Sequence, residues 1–200
     1  VNKVVIQGGS ITTSGDQHFA ELVILDKTDV STDVITTLTS SNGLVMFDAA
    51  IHNAQSTAPQ SLTVVAANDV MFSGEVGQST SAFGHLVINT PAVTTFSKSV
   101  DAASLKTDVA GSGITAGAAD NKVVIQGGRI KTSGDQHFAE LVVLDKTNVS
   151  TDEITALTST NGNVTFDAAI QNAQSTAPQS LTVVAANDVM FSGEVGQAAS

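Results

Sequence analysis

Cysteine, tryptophan and tyrosine are absent from this 200-residue chain, and proline occurs only three times. Without cysteine there is no disulfide, no thiolate metal site and no thiol nucleophile. Basic residues are scarce: eight Lys plus Arg stand against nineteen Asp plus Glu, a net charge of −11. That balance excludes a phosphate-binding surface, so nucleic acid is not expected as a partner, and it disfavours anionic lipid. Charged residues make up 14% of the chain, against roughly 25% in an ordinary domain. No apolar run approaches the ~20 residues of a membrane span, so no membrane insertion is expected. There is no signal-peptide pattern, and the first residue is Val1, so the chain reads as an excerpt of something longer.

What is present is a repeat. Asn2-Lys3-Val4-Val5-Ile6-Gln7-Gly8-Gly9 returns as Asn121-Lys122-Val123-Val124-Ile125-Gln126-Gly127-Gly128, an offset of 119 residues that holds without a gap to Gly196-Gln197. About a dozen of the roughly 80 overlapping positions differ, so residues 2–120 form one full unit and 121–200 a partial second one. Within the unit, Leu38, Leu62 and Leu86 open segments that lead to Phe47, Phe72 and Phe96 in turn. Weaker continuations start at Leu105, Val123, Leu141 and Leu157. These landmarks predict rungs of about 16–24 residues, six to a unit.

The local pattern is that of strands. Leu62-Thr63-Val64 and Val70-Met71-Phe72 alternate with the strand period. Val4-Val5-Ile6 and Leu22-Val23-Ile24-Leu25 are short β-branched runs, which suit strands better than helices. Gly8-Gly9, Ser14-Gly15, Asn42-Gly43 and Asn68-Asp69 punctuate them as turns. The Ala-rich piece 116–119 has no helical register around it. The fold predicted is all-β: 1–200 as one continuous right-handed parallel β-helix, or β-solenoid. Strands would stack rung on rung at about 4.8 Å, with Phe47, Phe72 and Phe96 in one inward column and Leu38, Leu62 and Leu86 in another. Length is taken up in loops such as 53–60 and 78–85, where Pro59 costs little. The alternative is a tandem array of β-sandwich domains, which usually bury a Trp or Tyr.

Leu181-Thr182-Val183, Asn187-Asp188-Val189 and Phe191-Ser192-Gly193-Glu194-Val195-Gly196 resemble repeats of giant bacterial surface adhesins of the filamentous haemagglutinin-like type. Leu157-Thr158-Ser159 followed by Asn161-Gly162-Asn163-Val164-Thr165-Phe166 is similar. The resemblance covers essentially the whole chain. It implies export to the cell surface, a right-handed β-helix, and a role in adhesion, aggregation or filament formation. No functional residue carries over from it.

The residues themselves offer few candidates for chemistry. His18 and His137 share one repeat position beside Asp16 and Asp135, too sparse for a metal site. Asp29-Val30-Ser31-Thr32-Asp33 is the densest acidic cluster, but calcium repeats crowd Asp and Gly more tightly. Arg129 faces no counterpart in the other copy, where Ser10 stands. The expectation is therefore a non-enzymatic scaffold with no catalytic, cofactor-binding or metal residue assigned, calcium remaining a minor option. Its partners would be its own ends and neighbouring repeats, with surface glycans or proteins of a host or neighbouring cell as the alternative. A stack of rungs leaves an open strand edge at each end, which favours end-to-end association.

Overall fold

The chain folds as an all-β parallel solenoid in a computed structural model that describes residues 2–27, 34–54, 59–108, 121–146, 153–173 and 179–198. The strands of the first unit begin with β1 (Lys3–Ile6), β2 (Ser10–Thr13), β3 (Gln17–Phe19), β4 (Leu22–Leu25), β5 (Val34–Ser40) and β6 (Val45–Phe47). They continue with β7 (Ile51–Asn53), β8 (Gln60–Ala66), β9 (Val70–Phe72), β10 (Phe83–Asn89), β11 (Val93–Phe96) and β12 (Val100–Thr107). The second unit supplies β13 (Lys122–Ile125), β14 (Arg129–Thr132), β15 (Gln136–Phe138), β16 (Leu141–Leu144) and β17 (Glu153–Ser159). It ends with β18 (Val164–Phe166), β19 (Ile170–Asn172), β20 (Gln179–Ala185), β21 (Val189–Phe191) and β22 (Val195–Ala198).

Three strands make one turn, so the solenoid has three faces. The first carries β1, β4 and β7, then Val76 and the start of β12, then β14, β17 and β20. The second carries β2, β5, β8, β10 and the end of β12, then β15, β18 and β21. The third carries β3, β6, β9, β11, β13, β16, β19 and β22. Every inter-turn pairing is parallel. Where the apolar landmarks predict rungs of 16–24 residues, the first face advances by 19 residues (Val4 to Val23), 28 (Val23 to Ile51), 25 (Ile51 to Val76), 24 (Val76 to Val100) and 30 (Val100 to Ile130). The short rungs inferred after Leu105 arose because Leu105 and Val123 stand on adjacent faces of one turn, not on successive turns.

The repeat and the turn do not match. β13, the copy of β1, lies four turns above β3 on the third face, two faces on from β1. The 119-residue unit is thus four turns and two faces long. The second unit begins a third of a circumference away from where the first began. All three faces agree: the column of β1 continues into the copy of β2, that of β2 into the copy of β3, and that of β3 into the copy of β1.

Inward side chains form one continuous apolar core. Phe19, Phe47, Phe72 and Phe96 stack with ring centroids 4.9, 5.2 and 5.3 Å apart, slightly more than the strand spacing of about 4.8 Å, as offset stacking requires. Above them the column continues into Ile125 and Leu144. The second unit builds its own stack from Phe138, Phe166 and Phe191. The predicted Leu38 column is shifted: Leu62 pairs with Leu86 and then Leu105, whereas Leu38 pairs with Val64, two residues on, and Thr36 with Leu62. Residues 78–82 form a small turn closed by a Gln78–Ser81 antiparallel bridge, and strand resumes at Phe83. The 78–85 loop of the sequence reading is therefore shorter, because Phe83 is drawn into the core.

Candidate functional site: the corners and the junction between units

Tight corners are held by side chains bonded to backbone. Gln17 is buried where β3 leaves the corner, and its Nε2 donates to Ile11 O, Thr13 Oγ1 and Thr39 O at 3.3, 3.2 and 2.8 Å. Ser40 Oγ donates to Gly15 O and accepts from Gly43 N. Asp16 Oδ1 accepts the Leu44 amide at 3.0 Å and closes the same corner. The second unit repeats the set with Gln136, Ser159, Gly134, Gly162, Asp135 and Asn163. A β-carbon on Gly43 would lie 2.4–2.6 Å from Asp16 and the Gly15 backbone, so only glycine fits.

His18 instead meets Asp48 one turn up at 2.7 Å, and His137 meets Asp167 at the same distance. Both pairs are exposed. His52 contacts Gln78. Of the remaining aspartates, Asp69 caps the Val93 amide and Asp26 accepts from Gln7. The Asp29–Asp33 cluster lies outside the described residues. Among the described residues no three His, Asp or Glu side chains converge as metal ligands.

The junction between the units is where the chain departs from its own repeat. Asp101 on β12 is 4% exposed. Arg129 on β14 reaches it with two nearly parallel bonds, Nη1 to Oδ1 at 3.0 Å and Nη2 to Oδ2 at 2.5 Å, the fork geometry that suits guanidinium to carboxylate. Beside this pair an open cleft is lined by Ser79, Thr80, Phe83, Asp101, Lys131 and Thr160. Its hydroxyls and its ammonium can hold a polar ligand. Lys131 and Arg129 replace Thr12 and Ser10 of the first copy, so the cleft's charge is specific to the junction.

One corner further on, Asp108 and Glu140 are buried together, at 6% and 2% exposure. Asp108 has a positive φ of 49°. Its Oδ1 accepts the Thr90 amide at 3.0 Å, and its Oδ2 has no hydrogen-bond partner. Thr107 Oγ1 donates to Glu140 Oε2 at 2.9 Å. Burial raises the pKa of Asp108, against the Thr90 amide and the neighbouring Asn121 amide. Burial first, and then the charge of Asp108, push Glu140 up to about 8. Glu21, the same position in the first unit, is exposed. The sequence held no sign of this pair, because its partners come from different units and only the junction buries them.

Comparison with protein-family models, with curated proteins and with solved structures returns no match.

Proposed function

We propose that the chain is a structural segment of a secreted bacterial surface protein, an adhesin-like rod that extends and stiffens the molecule between its anchor and its contacts. The observation that carries the reading is the passage of all three sheets through the boundary between units without a break. Beads on a linker would bend at each boundary. Here Arg129 and Asp101 lock it, and the third-face ladder runs from β11 into β13. The resemblance of Leu157–Phe166 and Leu181–Gly196 to adhesin repeats supports the cell-surface setting. The outermost described turn exposes Val189 and Phe191, whose first-unit counterparts Val70 and Phe72 are buried where β11 pairs with β9. Such an edge accepts a further turn, from a neighbouring repeat or from another molecule. A second reading, recognition of a surface glycan or protein, is favoured by the junction cleft beside Lys131.

Negative-stain electron microscopy of chains carrying one, two and three added units tests the rod. Length should grow by about 22 Å per unit, since four and two-thirds turns rise about 4.8 Å each. Globular beads, or lengths that do not scale, would refute it.

A further inference from the structure

We propose that Asp108, Asn121 and Glu140 form a junction site for a hard divalent cation of the calcium class, which clamps one unit to the next. Two buried carboxyl groups lie on adjacent rungs, where Thr107 pairs with Phe138, and among the described residues neither forms an ion pair with Lys, Arg or His. Two such anions side by side in a low-dielectric pocket repel each other, and burial penalises each as well. Either a proton or a cation must relieve them. The uncommitted atoms are the ones a cation uses. Asp108 Oδ2 has no hydrogen-bond partner. The Asn121 side chain, 3% exposed, has neither its oxygen nor its nitrogen satisfied. The register that pairs Lys122 with Leu141 sets it one rung from Glu140. Calcium takes carboxylate and amide oxygens together, completing its shell with carbonyls and water.

The site is made by the junction and not by the repeat. Asn2 and Glu21, the first-unit counterparts of Asn121 and Glu140, are both exposed. Asp108 follows β12 of one unit, while Asn121 and Glu140 directly precede β13 and β16 of the next. A cation held by all three therefore ties the two units at a corner, on the far side of β12 from the Arg129 lock. Carboxylate ligands bind in their ionised form, so the cation competes with protons for the site.

The test is calorimetric titration of calcium chloride into the whole chain, with thermal unfolding in parallel. The expected result is about one saturable equivalent per chain and a rise in Tm on binding. Glu140→Gln should abolish binding while the variant still melts cooperatively in chelator. Asp108→Asn, which tolerates the positive φ, should also abolish it. Glu21→Gln should bind as the parent does. No saturable binding up to about 10 mM, well above the range of weak extracellular calcium sites, would overturn the proposal. So would binding that survives both Glu140→Gln and Asp108→Asn.

Discussion

At the scale of single residues, the fold is decided at corners as much as in the core. A methyl group on Gly43 would enter the Asp16 corner, whereas one on Gly8 meets nothing within 4 Å. Gly43→Ala should therefore cost about 1–3 kcal/mol, the usual penalty for overpacking, and Gly8→Ala a few tenths at most. Chemical denaturation of the two variants side by side measures the difference. The buried Glu140 sets a pH dependence of unusual sign. Its folded pKa, raised to about 8, lies above its ordinary carboxyl value. Between those two values the folded state holds a proton that the unfolded chain has released, so stability falls as pH rises. In chelator, the Tm should decline from about pH 5 to pH 8.5. Glu140→Gln should flatten that slope, and melts across the series show whether it does.

At the scale of elements, strand pairing follows position more than residue type. The Phe47, Phe72 and Phe96 column was legible because a bulky aromatic marks its place at near-equal intervals and each ring stacks on its twin. The Leu38 column was not, since a leucine two residues away offers the same signal as the residue that truly pairs. Polarity does not mark the outside: Gln17, Thr36 and Gln60 are buried, Gln17 donating to the Thr39 carbonyl and Gln60 accepting the Lys27 amide. The copies themselves separate inside from outside. Ser10, Thr12, Ile24, Thr37, Ser41, Leu44, Met46 and His52 change in the second copy, and each is at least partly exposed in the first. The candidate site left no trace of this kind, because burial of Asp101, Asp108 and Glu140 comes from one unit meeting another. The β12–β14 lock makes a prediction here. Arg129→Ser leaves the Asp101 carboxylate buried without its partner, which should cost about 2–3 kcal/mol. That is less than the roughly 3–5 of a fully buried pair, since the guanidinium is partly solvated. Hydrogen exchange should localise the loss to β12 and β14.

At the scale of the whole molecule, the mismatch between unit and turn has consequences for anything that touches the rod from outside. The His18–Asp48 patch of the first unit sits on the third face, and the identical His137–Asp167 patch of the second on the next face round. A receptor or antibody lying flat along one side meets a given patch once and then loses it to a neighbouring side. With units continuing at the same step, the patch would return to its first bearing after three units, about 67 Å along the axis. An array of near-identical copies thus offers no single crowded flank. It spaces its contacts around the axis, so that bodies on three sides can each grip the same rod without competing for adjacent copies.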